Sequence, residues 1–281
     1  MMGNKPDVNL SILFTELPLR QRPAAAAACG FEAVELWWPF DRSVPREAQL
    51  RDLAEALHDA GTSLVGLNFD AGDMASGDRG LVSLPGQQTR LRENIEVAID
   101  FAEPLGCKAF NALYGNRLEG TDPSIQDELA IENLSYAATA VQRIGGMVLV
   151  ETQNTQDSPC YPLTRSAEAV AVIERVEQAC GAGNVKLLAD LYHLHRMGEN
   201  LAATVTAFAE RIGHVQVADD PGRHQPGTGD IDFGPALSAL ASVGYEGYLG
   251  LEYRSLGPSS DSFGWLSLDP WTAGITWRSS R

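Results

Sequence analysis

The chain has 281 residues, 44% hydrophobic and 21% charged, the profile of a globular protein that buries about three quarters of its unfolded surface without a disulfide or metal staple. Its net charge of −16 opposes nucleic acid and anionic membrane as partners through long-range repulsion, and any anionic substrate would need a local cation. The four cysteines (Cys29, Cys107, Cys160, Cys180) form no CxxC pair and read as reduced thiols; with no leader at the start and no apolar window of about 18 residues, a cytoplasmic protein is expected.

Taken in order, NLSIL (9–13) predicts a first strand and PAAAAACG (23–30) a first helix. AVELW (33–37) precedes a helical stretch over 46–61, and SLVGLNF (63–69) precedes one over 92–106. AFNALYG (109–115) leads to a helix over 124–145, and MVLVET (147–152) to one over 166–181. VKLLADL (185–191) leads to 199–213, HVQVAD (214–219) to 234–244, and YLGLEY (248–253) ends the series. Gly30, Gly61, Gly106, Gly145, Gly181, Gly213 and Gly244 stand where helix C-caps are expected. Eight consecutive β-α units predict a single (β/α)8 TIM barrel over residues 1–281. An open doubly wound sheet would carry a GxGxxG turn after its first strand, and none is present. The Gly/Asp/Ser-rich connection 69–87 is too long for a tight turn and is expected to be a functional loop.

In such a barrel the C-terminal strand ends form the active-site face. The polar residues there are Glu35, Asn68, Asn111, Glu151 with Asn154, Asp190 with His193, Gln216 with Asp219, and Glu252 with Arg254. A single acid at a strand end is more often a helix cap or an ion-pair partner than a ligand. Capping favours Ser, Thr, Asn and Asp over Glu, so Glu151 and Glu252 resist that explanation. Three carboxylates in one low-dielectric mouth repel unless a cation sits among them. Glu151, Asp190, Gln216 and Glu252 are therefore expected to share a divalent metal ion, and oxygen donors suit Mg or Mn better than Zn. His193 is expected one step further out, towards substrate. His195 and His214 read as structural, His214 because it opens a strand at the opposite end of the barrel. Trp37 shares the strand parity of Glu35 and points inward. Arg223 and His224, just past the seventh strand, offer a cation for a substrate carboxylate.

NLSILFTELP (9–18), GFEAVELWWPF (30–40), AGDMASGDRG (71–80), VETQN (150–154), DLYHLHRM (190–197), GHVQVADDPGRHQPGTGDI (213–231), YEGYLGLEYR (245–254) and GWLSLDPW (264–271) together carry a resemblance. They are similar to the hydroxypyruvate isomerases, within the xylose isomerase-like barrel group of sugar isomerases and epimerases. The resemblance implies paired acid/base glutamates at Glu151 and Glu252, a metal site formed by these two with Asp190 and Gln216, and a substrate-facing His193. Asn68, Asn111 and Trp37 join His193, Arg223 and His224 as expected substrate contacts. Two departures lie near the pocket: ETQN stands where the isomerases usually read EPIN, and Leu67 stands where they usually carry a His before Asn68. The NLSxxFTE opening is shared with isomerases of 2-oxo-tetronate.

The implied reaction is the interconversion of hydroxypyruvate and tartronate semialdehyde through an ene-diolate, with a metal as Lewis acid and two carboxylates moving the proton. A metal-bridged hydride shift, isomerisation of a related 2-oxo sugar acid, ketose epimerisation and sugar-acid dehydration are the alternatives. A DNA-repair nuclease would want more histidines than five and a basic face. A small 2-oxo acid or sugar is the expected partner, with no nucleic acid and no membrane, and the sequence leaves a homo-oligomer open.

Overall fold

A computed structural model describes residues 4–268; the last three residues of GWLSLDPW, 269–271, lie outside them. Eight parallel strands close into a barrel in chain order. They are β1 (Lys5–Asn9), β2 (Ala33–Leu36), β3 (Ser63–Asn68), β4 (Ala109–Asn111), β5 (Met147–Glu151), β6 (Val185–Asp190), β7 (Ile212–Val217) and β8 (Tyr248–Leu251). The ring shuts where β1 pairs with β8, Lys5 opposite Tyr248 and Val8 opposite Leu251. The helices are α1 (Arg22–Ala28), α2 (Glu47–Ala60), α3 (Gln88–Ala102), α4 (Pro123–Gln142), α5 (Ser166–Cys180), α6 (Leu191–Arg196), α7 (Leu201–Ala207) and α8 (Gly234–Ser242). This is the expected (β/α)8 barrel. Among the described residues no helix is long and apolar enough to cross a membrane.

Side chains alternate across each strand, and that alternation positions the site. One parity faces the helices: Val8, Val34, Val148, Val150, Leu187, Val215 and Leu249 belong to one large buried apolar cluster. The other parity faces the barrel axis. There, Ala109, Leu149 and Leu188 form a small separate apolar plug. Two residues further along their strands stand Asn111, Glu151 and Asp190, all buried. The same step leads from Asp7 to Asn9, from His214 to Gln216 and from Gly250 to Glu252.

Three expectations need correction. The first strand is Lys5–Asn9, not 9–13. Pro6 and Asp7 disguise it, because neither is a usual strand residue, yet Asp7 is wholly buried. Gly213 caps no helix: it lies inside β7, where a Cβ would come within 2.6 Å of Lys186 Cβ and 2.8 Å of Met147 Sδ. The helix expected after the sixth strand over 199–213 is preceded by a short one, α6, directly after Asp190.

Candidate active site

Asp190 resolves into both of its readings. Its Oδ1 caps α6, accepting from the backbone N–H of Tyr192 at 2.8 Å and of His193 at 3.3 Å. Its Oδ2 is turned into the barrel mouth, 3.5 Å from His193 Nε2 and 3.4 Å from Arg223 Nη2. Glu151 ends β5 and is buried; its Oε2 accepts from Asn111 Nδ2 at 2.6 Å, and its Oε1 lies 3.8 Å from His193 Nε2. Glu252, just past β8, accepts from Trp37 Nε1 at 2.6 Å and Asn9 Nδ2 at 2.9 Å on Oε1, while Arg223 contacts its Oε2.

These carboxyls are all pushed upward. Burial raises Glu151 well above the usual range, reinforced by the charges of Glu252 and Asp190. Burial also lifts Asp190 to about 6 and Glu252 to about 7, in both cases against the pull of Arg223. Arg223 pays for its own burial through the same contacts and stays charged, because Glu252, Asp190 and Glu151 surround it.

The imidazole of His193 is oriented by its neighbours. The backbone N–H of Asn154 donates to Nδ1 at 3.2 Å, so Nδ1 presents its lone pair. Burial, with Arg223, Arg196 and Arg79 nearby, holds the ring well below its ordinary pKa and therefore neutral. A neutral ring with an accepting Nδ1 carries its proton on Nε2. That nitrogen is buried and has no protein partner. His193 is thus a hydrogen-bond donor aimed between Glu151 and Asp190, and although the three groups have the donor types of a metal cluster, a protonated Nε2 has no lone pair for an ion.

An oxygen set remains. Gln216 Nε2 donates to Glu35 Oε1 at 2.7 Å, and its Oε1 is buried without a partner. Three buried carboxyls and an unpartnered amide oxygen fit a hard divalent cation. Glu151, Asp190, Gln216 and Glu252 are the residues that would hold it.

The site opens into a cavity of about 510 Å³ whose walls include Trp37, Asn68, Glu151, His193, Arg223 and Glu252. Of the remaining expected contacts, Asn111 stands behind Glu151 as its hydrogen-bond donor. His224 does not reach the cavity: its Nδ1 is 2.8 Å from the Arg254 carbonyl, on the outside of the loop. Arg254 itself lines the cavity, and its side chain forms no ion pair among the described residues. Sequence reasoning missed Arg79 and Arg196 on the cavity wall and met Gln153 only as part of the ETQN departure. Arg79 comes from the loop expected to be functional and is held by Ser158 Oγ at 3.0 Å. Ser158 Oγ in turn donates to Gln153 Oε1 at 2.6 Å, which gives the third residue of ETQN a place in the wall. Arg196 is tied to Tyr192 Oη and Asp220 Oδ1 at 2.7 and 3.0 Å.

A closed eight-strand barrel with acids at the ends of β5, β6 and β8 defines a class, and the comparisons agree with it. Residues 23–271 match the xylose isomerase-like TIM barrel family. A Streptomyces coelicolor protein provisionally named a hydroxypyruvate isomerase is 55% identical, over 92% of this chain and 94% of its own. The hydroxypyruvate isomerase of Escherichia coli K12 is 34% identical over 94% and 97%. The 2-oxo-tetronate isomerase of Cupriavidus necator is 34% identical over 92% and 95%. A crystal structure from Brucella melitensis, described as an AP endonuclease of family 2, superposes with a TM-score of 0.84 at 33% identity, covering 94% of this chain and 98% of that one. The chain belongs to the xylose isomerase-like TIM barrel family, on the branch whose curated relatives carry the names of 2-oxo acid isomerases.

Proposed function

We propose that the protein interconverts hydroxypyruvate and tartronate semialdehyde in one cavity served by a single domain. The observations that carry this reading are that buried Glu151, Asp190 and Glu252 stand near enough to act on one another's charge, and that Gln216, paired with Asp190 in the adjoining strand, has a buried Oε1 without a partner. A divalent ion, Mg or Mn by its all-oxygen donors, would supply Lewis-acid charge where the ene-diolate develops. Glu252 takes the C3 proton. Glu151 stands opposite as the carrier that returns a proton to C2 while the hydroxyl proton passes from O3 to O2, and the two glutamates exchange roles in the reverse direction. His193 donates its Nε2–H to a substrate oxygen.

The names of the relatives support the 2-oxo acid class. The nuclease name of the Brucella structure does not extend to this chain: a net charge of −16 repels a polyanion. The deciding experiment is an assay of the purified protein with hydroxypyruvate, 2-oxo-tetronate, a neutral ketose and a sugar acid, with and without Mn²⁺. Isomerisation of hydroxypyruvate with a specificity constant above the others is the expected outcome. Preferential turnover of the ketose would move the assignment to an epimerase, and loss of water from the sugar acid would move it to a dehydratase.

A further inference from the structure

Below the site lies a buried pair that the proposed reaction does not use. His214, expected at the far end of the barrel, is instead within the ring, its Nε2 2.9 Å from Glu35 Oε2. Burial opposes a charge on His214, but the hydrogen bond and charge of Glu35, helped by Asp7, raise it to about 9. Space is cleared for the pair by two strands that present no side chain. A Cβ on Gly250 would lie 2.9 Å from His214 Nε2 and 3.0 Å from Glu35 Oε1, and one on Gly66 would lie 3.1 Å from Glu35 Cβ. Asp7, Glu35 and His214 have the donor types of a metal cluster, but the charged imidazole that Glu35 holds repels a cation.

The other oxygen of Glu35 faces the site. Oε1 accepts from Gln216 Nε2 at 2.7 Å and from Asn9 Nδ2 at 3.0 Å, and the same Asn9 amide donates to Glu252 Oε1 at 2.9 Å. An amide side chain has two unlike ends, a donor and an acceptor, and only the acceptor is useful to a cation. A carboxylate only accepts. Glu35 can therefore hold only the NH₂ end of Gln216, which leaves Oε1 as the end presented to the site.

We propose that Glu35 is a positioning residue that fixes which end of the Gln216 amide faces the metal site and, through Asn9, where Glu252 stands. The proposal rests on the assignment of Glu151, Asp190, Gln216 and Glu252 to a divalent ion. It requires an acceptor at position 35, not a charge, and this separates it from a purely structural role. Partners that orient metal ligands typically contribute about 10–100-fold in affinity.

The test is calorimetric titration of the full chain with Mn²⁺, alongside the Gln216 side-chain amide signals in the metal-free protein, assigned by their loss in Q216E. Glu35→Met, which has no acceptor, is expected to weaken Mn²⁺ binding about 10–100-fold and to speed solvent exchange of the Gln216 NH₂ protons. Glu35→Gln keeps an oxygen for Gln216 and is expected to bind Mn²⁺ within a few-fold of wild type. Binding by Glu35→Met within twofold of wild type, or equal weakening in both variants, overturns the proposal. If Glu35→Met does not fold, the amide signals decide: slow exchange in the wild-type and Glu35→Gln proteins supports the clamp, and fast exchange in the wild-type protein refutes it. A wild-type protein that binds no Mn²⁺ refutes the metal assignment instead, and the amide signals still decide the clamp.

Discussion

Arg223 reaches Asp190 across 33 residues of sequence, its Nη2 3.4 Å from Oδ2, and the same nitrogen contacts Glu252. The guanidinium is thus a counter-ion of the two carboxyls. The acids still prefer their neutral forms, Asp190 moving from 3.8 to about 6 and Glu252 from 4.5 to about 7. Both folded values lie above the unfolded ones, so the stability these groups confer is full below about pH 4 and is lost as pH rises through about 6 to 7. A divalent ion needs both deprotonated. The rise in Tm caused by Mn²⁺ is therefore expected to grow between pH 5 and pH 8, measured by thermal scans with and without the ion. A rise that is flat, or largest at pH 5, contradicts this linkage.

Glu151→Gln and Glu252→Gln are nearly isosteric and remove one proton carrier each. Each is expected to lower kcat for hydroxypyruvate by about 10²–10⁴ while leaving the circular dichroism unchanged. In the wild-type protein, turnover in D₂O should place deuterium on the carbon that gains a proton. Near wild-type rates in either variant argue against two proton carriers, and full retention of substrate label favours a hydride shift.

The substrate carboxylate needs a cation. Arg223 is engaged by Asp190 and Glu252, whereas Arg254 lines the same cavity with no ion pair among the described residues. A hydrogen bond to a charged group contributes about 1.5–3 kcal/mol. Arg254→Met is accordingly expected to raise KM for a 2-oxo acid about 10–100-fold and to leave a neutral ketose unaffected. Arg223→Met, which also strips the carboxyls of their counter-ion, should impair both substrates. An Arg254→Met protein with unchanged KM would return the carboxylate to Arg223.

Gly250 is a packing requirement of the polar layer. A methyl there would press on Gln216 Cγ and His214 Nε2, both 2.9 Å away. Gly250→Ala is expected to lower unfolding stability by about 1–3 kcal/mol, the usual range for overpacking, and to weaken Mn²⁺ binding as well. Urea melts and the same calorimetric titration measure the two effects, and a variant as stable as wild type would show that the layer yields easily.

Much of this was legible from residue order. Six strands begin on the expected residue, those at Ala33, Ser63, Ala109, Met147, Val185 and Tyr248, because parallel strands covered by helices read as apolar runs between turns. The acids at the strand ends stood out because nothing local explained a glutamate there. What escaped notice depended on contacts across the ring. Asp7 made β1 look like a loop, since a buried acid contradicts the apolar run that marks a strand. His214 and Glu35 are 179 residues apart, and no spacing rule joins them. Arg196 enters the cavity wall from α6, a helix whose six residues are too few for a period to declare itself.

Asn9 ends β1 and Glu252 follows β8, and these are the two strands whose pairing shuts the ring. The hydrogen bond between them therefore spans the seam of longest sequence separation, between the first strand and the last of the chain. During refolding, β5 to β8 can gather the acids early, since they are neighbours in sequence, but Glu252 gains its Asn9 contact only when the two ends of the barrel meet. Cation affinity in this protein should consequently appear late, as a reporter of ring closure rather than of helix or strand formation.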